Sequence, residues 1–256
     1  MYRFFVEPEQ LMQSPVMIKG ADYNHIKNVL RLKIGESIYL SDGTDREYEC
    51  SIASYDTENE TVLAVITDVF AASRELPARL TLFQGYPKGD KMETIVQKAV
   101  ELGACEIVPV MMKRCVVKLD DKKSLRKTER LNSISLSAAK QAKRGLVPKV
   151  TNIMSLPEAC EHAKDMDYIL LPYENAEGME YAGQVIKEAG KKENIGIFIG
   201  PEGGFETDEI KMLESIGAKT FSLGHRILRT ETAGMAVLSL LMFLLETYGG
   251  RHGNIL

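Results

Sequence analysis

Ile195-Gly-Ile-Phe-Ile-Gly-Pro-Glu-Gly-Gly-Phe205, followed by Glu206-Thr-Asp-Glu-Ile210, decides the class of fold. Residues 195–200 are a short apolar run of strand length, a glycine loop follows, and Thr207 ahead of acidic Asp208 and Glu209 marks a helix start. Working outward, residues 80–84, 106–110, 168–171 and 220–223 are similar short apolar runs separated by helical patterns. One of the intervening helices carries a capping box, Ser155-Leu-Pro-Glu158. Such alternation predicts a parallel, helix-covered sheet, an α/β domain. Upstream the period changes. Ser37-Ile-Tyr-Leu40, Tyr48-Glu-Cys-Ser-Ile52 and Thr61-Val-Leu-Ala-Val-Ile66 alternate like half-buried strands, with Asp42-Gly43 as a tight turn. Ahead of them Asp22 can cap a short helix whose Ile26, Val29 and Leu30 share one face. Arg74-Glu-Leu-Pro77 reads as a linker. The expectation is two domains: a small β-rich one over residues 1–72 and an α/β one over 78–256.

The composition fits that plan. Of 256 residues 45% are hydrophobic and 27% charged, enough apolar matter for a packed core and too much for a disordered chain. Cys50, Cys105, Cys115 and Cys160 show no Cys-x-x-Cys spacing and the four His residues do not cluster near them, so neither a zinc site nor any other metal is expected. Unclustered cysteines suit a reducing compartment, and the expected location is the cytoplasm. Met1-Tyr-Arg-Phe-Phe-Val-Glu-Pro8 reaches an acid and a proline before a signal-peptide core can form. The apolar run 233–245 is shorter than the roughly 20 residues of a membrane span and reads as a buried helix. The net charge of −4 conceals an asymmetry: residues 77–150 hold 16 basic and 7 acidic side chains, whereas both flanking thirds are acidic. A basic middle, densest over residues 118–130, is the footprint expected for a polyanion, or else the solvated face of a helix.

In open α/β sheets ligands bind beyond the carboxyl ends of the strands. Three loops qualify: Leu171-Pro-Tyr-Glu174, Gly200-Pro-Glu-Gly-Gly-Phe205, and Leu223-Gly-His-Arg-Ile-Leu-Arg-Thr-Glu-Thr-Ala233. The glycine loop has neither the Gly-x-x-x-x-Gly-Lys nor the Gly-x-Gly-x-x-Gly spacing of phosphate binders. Glu202, Glu206, Asp208 and Glu209 would repel a pyrophosphate, which disfavours a nucleotide hydrolase. Glycines at 200, 203 and 204 would instead let the backbone approach a neutral or cationic ligand, or form an ordinary turn. Arg226 and Arg229 stand directly before the apolar helix. They could position an RNA phosphate or a nucleobase carbonyl, or pair with Glu202 or Glu231 inside the fold.

Taken together, the second and third loops resemble the signature of the bacterial 16S ribosomal RNA uridine N3-methyltransferases of the SPOUT superfamily. His25-Ile-Lys-Asn-Val-Leu-Arg31, Lys88-Gly-Asp-Lys-Met92, Gln97-Lys-Ala-Val-Glu-Leu-Gly103 and Gln141-Ala-Lys-Arg144 are similar to that family's other landmarks, in the same order. The resemblance implies a PUA-like β-barrel for RNA binding, then a SPOUT-type α/β domain with a trefoil knot that holds S-adenosylmethionine. It further implies a homodimer acting on 16S rRNA or the small ribosomal subunit. Carried onto this chain, the cofactor-binding residues are Leu171, Pro172, Gly200, Pro201, Glu202, Gly203, Gly204, Leu223, Gly224, Arg226, Ile227, Leu228, Thr230 and Ala233. Arg229 is the expected stabiliser of charge on the uracil and Glu231 the weaker candidate for a base. Arg3, His25, Arg31, Lys88, Arg126 and Arg144 are the RNA-binding candidates. The rival readings are another SPOUT enzyme, methylating a ribose 2′-hydroxyl on transfer RNA for example, and a non-catalytic RNA-binding ribosome assembly factor.

Overall fold

The computed structural model describes residues 2–43, 46–71, 74–117, 120–174, 176 and 178–248. The chain forms two compact units, Met1–Glu75 with Ala139–Val147, and Leu76–Ala138 with Pro148–Leu256.

The first unit contains β1 (Arg3–Phe5), α1 (Pro8–Leu11), β2 (Val16–Lys19), α2 (Ala21–Asn24) running into a π-helical turn at His25–Val29, β3 (Ser37–Ser41), β4 (Arg46–Asp56) and β5 (Thr61–Ala71). Its five strands follow the order β1-β3-β4-β5-β2, antiparallel except for β1 on β3. The alternation read from the sequence is realised: Ile38, Leu40, Cys50, Ile52, Val62 and Ala64 point inward to meet Phe4, Val16, Ile18 and Ile26. Burial pushes the Cys50 thiol up to about 12, so it is a core residue with no nucleophilic part at neutral pH. Two local readings need correction. Gly20, not Asp22, precedes α2, and Val29 is 63% exposed because the π-turn rotates it off the face that Ile26 occupies.

The first break between the units, Glu75 to Leu76, falls inside the expected linker, but residues 139–147 also belong to the first unit. The Ser41 hydroxyl donates to Gly145 O at 2.7 Å and Lys140 Nζ meets Asp22 at 3.1 Å. Glu75 Oε1 accepts the Gly145 and Leu146 N–H groups at 3.1 and 3.2 Å, while the Arg144 guanidinium pairs with the same carboxylate. Arg3 is likewise enclosed, 2.6 Å from Glu47 and also donating to Lys143 O. The side chains of Arg3 and Arg144 are 6% and 5% exposed. Both had been expected on an RNA-binding surface. A guanidinium enclosed with a carboxylate satisfies its charge inside the fold and leaves little to offer a phosphate.

The second unit contains β6 (Arg79–Gly85), α3 (Lys91–Glu101), β7 (Ala104–Met111), α4 (Asp121–Gln141), β8 (Lys149–Val150), β9 (Met154–Ser155), α5 (Leu156–His162), β10 (Tyr168–Pro172), α6 (Met179–Ala189), β11 (Asn194–Ile199), α7 (Thr207–Ser215), β12 (Lys219–Phe221) and α8 (Thr230–Tyr248). The strands are parallel, in the order β12-β10-β11-β6-β7-β8 with β9 also on β7. Central β6 and β11 are buried along nearly their whole length, and Phe83 stacks on Phe198 with centroids 4.2 Å apart. Ser155 caps α5 through the expected box with Glu158, whereas α7 is capped by Glu206 rather than Thr207. On α4, Lys122, Lys123, Arg126 and Arg130 are exposed; Lys118 of the basic stretch lies outside the described residues.

Helix α8 departs most from its sequence reading. It has 19 residues, long and apolar enough to cross a membrane by length and composition. It packs against α3, β6 and β11. Only one side is buried, through Thr230, Gly234, Val237, Leu238, Leu241 and Leu245, while Leu240 and Phe243 are 48% and 67% exposed.

Candidate active site

Strands β12, β10, β11 and β6 are neighbours and parallel, so the loops leaving their carboxyl ends gather at one end of the sheet. The glycine loop after β11 is shaped by its own surroundings. A Cβ at Gly85, the last residue of β6, would lie 2.5 Å from Pro201 N, so only glycine lets the loop pass. A Cβ at Gly200 would press the Phe205 ring at 3.1 Å, and one at Gly203 would lie 2.8 Å from Arg114 Cβ. Gly204 has φ +71° and its N–H closes a turn on Pro201 O at 2.9 Å. Close approach of a ligand, or an ordinary turn, was the expected reason for glycines 200, 203 and 204; internal packing already presses on the first two, and the positive φ of the turn accounts for the third.

Four groups fasten this loop. Thr230 Oγ1, at the start of α8, donates to Gly200 O at 2.6 Å and accepts from Gln84 Nε2 at 2.8 Å. That buried relay joins the glycine loop to the loop after β12. Lys91 Nζ donates to Glu202 at 2.9 Å and lies 3.6 Å from Glu231, and the Lys88 N–H also reaches Glu202 at 3.3 Å. Burial raises the Glu202 carboxyl, but hydrogen bonds from Lys91 and from backbone N–H groups, with the Lys91 charge, outweigh it and hold the group below its usual value. Arg114 meets Gly203 O and Glu206 on the opposite flank.

Similarity to known proteins matches this geometry. The chain fits a family model described as RNA methyltransferase domain over residues 74–242 and one described as RNA methyltransferase PUA domain over 18–68. It is 34% identical to ribosomal RNA small subunit methyltransferase E of Bacillus subtilis, over 98% of this chain and 99% of that protein. The same protein of Mesomycoplasma hyopneumoniae is 30% identical over 93% and 98%. The chain belongs to the ribosomal RNA small subunit methyltransferase E family. Among solved structures, the Neisseria gonorrhoeae methyltransferase E bound to S-adenosyl methionine has a TM-score of 0.80 at 29% identity, covering 95% of this chain and 98% of that one. A Legionella pneumophila methyltransferase in complex with the bound cofactor SAM has a TM-score of 0.77, also at 29% identity, over 94% and 96%. Both of these solved structures hold S-adenosylmethionine.

The expected cofactor residues fall into distinct settings in this family member. Leu171 is fully buried in the core, within the β10–β12 ladder. Pro172, Gly200, Gly204, Leu223, Gly224, Leu228 and Ala233 are partly exposed and Pro201 is buried. Arg226, Ile227 and Arg229 are exposed, Ile227 by 85%. Among the described residues neither arginine pairs with a carboxylate. The alternative that they pair with Glu202 or Glu231 is thereby corrected: Lys91 serves both acids. Of the RNA candidates, His25, Arg31, Lys88 and Arg126 are exposed, and Arg31 adopts φ +54°. Lys91, Gln84 and Arg114 were missed. Gln84 carried a signal, a long polar side chain near the end of a mostly apolar strand; Lys91 stands in a quoted motif from which only Lys88 was singled out, for RNA. No cluster of His, Cys, Asp and Glu among the described residues could hold a metal.

Proposed function

We propose that this enzyme transfers the methyl group of S-adenosylmethionine to N3 of one uridine in 16S rRNA of the small ribosomal subunit. The observation that carries this reading is the Gln84–Thr230–Gly200 relay, which joins the two loops of the signature at the strand ends in a chain alike over its whole length to cofactor-bound relatives. The donor set fits a cationic cofactor. Two carboxylates border the loop, and Glu231 Oε2 is buried without a hydrogen bond among the described residues.

S-adenosylmethionine supplies an electrophilic methyl group on a sulfonium. Backbone at Leu171, Pro172, 200–204 and 223–233 would hold it, because these segments border the strand ends. Arg229, exposed and unpaired with any described carboxylate, is placed to stabilise negative charge on uracil O2 or O4 as N3 loses its proton. Glu231 faces the Lys91 ammonium, and taking up a proton would forfeit that pairing, which argues against it as the base. The acceptor N3 lies on the Watson–Crick edge, so its uridine must be unpaired or extruded. Exposed His25 and Arg31 in the PUA-like unit, with Lys88 and Arg126, are the RNA contacts kept in this reading.

The reading extends to a closed barrel in the first unit, a trefoil knot in the second, and a homodimer in the cytoplasm without metal. The exposed apolar side of α8, with Leu240 and Phe243, supports a second copy as its cover. The deciding experiment incubates the protein and cofactor with small subunits lacking the modification, then maps methylated nucleosides by mass spectrometry. 3-Methyluridine at one position is expected. A ribose 2′-O-methyl product would favour the other SPOUT reading, and RNA binding without methylation the assembly factor.

A further inference from the structure

We infer that Arg114, on the turn after β7, is a positioning residue that fixes the glycine loop for S-adenosylmethionine; the inference rests on the assignment of that loop to the cofactor. Its guanidinium reaches two acceptors on one segment: Nη1 donates to Gly203 O and Nε to Glu206 Oε1, each at 2.8 Å. The Gly203 carbonyl and the Gly204 N–H are two ends of one planar peptide group. The Gly204 end is bound to Pro201 O at 2.9 Å. Arg114 therefore holds one edge of that plane while the loop's own turn holds the other, and the peptide cannot rotate without breaking both bonds. The stem contributes too. Arg114 Cβ lies where a Cβ of residue 203 would stand, 2.8 Å away, which explains glycine at that position.

Arg114 is itself anchored. The neighbouring Lys113 N–H donates to Glu209 Oε1 at 2.8 Å, and Glu209 Oε2 accepts the Glu206 N–H at 2.8 Å. Glu209 is 3% exposed. The turn after β7 and the start of α7 are thus joined through a buried carboxylate, and the Arg114 fork spans the remaining gap to the loop. Its hydrogen bond, then its charge, hold the Glu206 carboxyl below the usual range. A lysine could serve one acceptor as a point charge but not both in one plane.

The test compares Arg114→Ala, Arg114→Lys, Glu206→Gln and, as a control on the loop itself, Gly204→Val in the full-length protein. Cofactor affinity is read by calorimetry, KM and kcat with small subunits as substrate, and folding by thermal melting. Loss of a charge-assisted hydrogen bond predicts an S-adenosylmethionine Kd and KM raised about tenfold in Arg114→Ala, with kcat at saturating cofactor within about twofold of wild type. Arg114→Lys should recover part of that loss. Glu206→Gln should lose less than Arg114→Ala, because the bond to Gly203 persists. Wild-type affinity in folded Arg114→Ala, with binding lost in Gly204→Val, would overturn the role of Arg114 and leave the cofactor assignment intact. Wild-type affinity in both would overturn the assignment as well. A fall in kcat at unchanged cofactor affinity would also overturn the inference.

Discussion

The loops after β11 and β12 are neighbours with opposite characters. The first is held at Gly200 by Thr230, at Glu202 by Lys91 and the Lys88 N–H, and at Gly203 and Glu206 by Arg114. The second is secured at its ends, by Ser222 on the Gly224 N–H at 3.1 Å and by Thr230, and between them presents Arg226, Ile227 and Arg229 to solvent. A site that must align a nitrogen, a methyl carbon and a sulfur needs one partner fixed before the other arrives. In the proposed reading the backbone of both loops holds the cofactor, and the difference teaches a division of labour between the preorganised first loop and the exposed Arg229 side chain of the second, which is left for the nucleobase.

The sharpest way to break that division is Arg229→Ala. Methyl transfer should fall on the order of 10²- to 10³-fold while cofactor affinity by calorimetry stays within about twofold. A variant as active as wild type would remove Arg229 from the mechanism, and one that loses cofactor would move its side chain from the nucleobase to the cofactor. Next in size is Thr230→Val, which leaves Gly200 O without its donor at a cost of about 1–3 kcal/mol. Denaturant unfolding should register that loss and Thr230→Ser should largely restore it; equal stability of Val and wild type would mean the relay fastens nothing.

Lys91→Gln should weaken cofactor binding a few-fold by freeing Glu202. The same clamp predicts a pH dependence. Because the folded Glu202 carboxyl lies below its usual 4.5, its contribution is fully present above that pH and is lost as the pH falls through the folded value. Wild-type affinity should therefore hold down to about pH 4.5 and decline below it. A decline beginning near neutrality would assign the effect to another group. The smallest effect has the opposite sign. A Cβ at Gly234 would meet only ordinary contacts, 3.6 Å from Gln84 Oε1 and 3.7 Å from Ile199. Gly234→Ala should stabilise α8 by about 0.5–1 kcal/mol without altering transfer; destabilisation would show that the helix must approach the sheet more closely than its packing indicates.

Legibility in the sequence followed the range of the interactions. The alternating strand at 37–41, the short apolar run at 194–199 and the Ser155–Glu158 box depend on near neighbours and are realised. Lys91 acts on Glu202 across 111 positions and Arg114 on Gly203 across 89, distances at which charge pattern says nothing about partners. The same blindness placed Arg3 and Arg144 on the surface, since a buried guanidinium and an RNA-binding one look alike in one dimension. The length of α8 exceeded its apolar run because Thr230 and Glu231 at one end and Glu246 to Tyr248 at the other continue the helix despite their polarity.

The return of residues 139–147 to the first unit makes that unit discontinuous along the chain. A gene fragment ending at the linker would deprive Glu75 of Arg144, and stranding a carboxylate from such an enclosed partner costs about 3–5 kcal/mol. The first unit is therefore not a cassette that recombination could lift out and graft elsewhere in one cut, because the segment that completes it is encoded after the first part of the second.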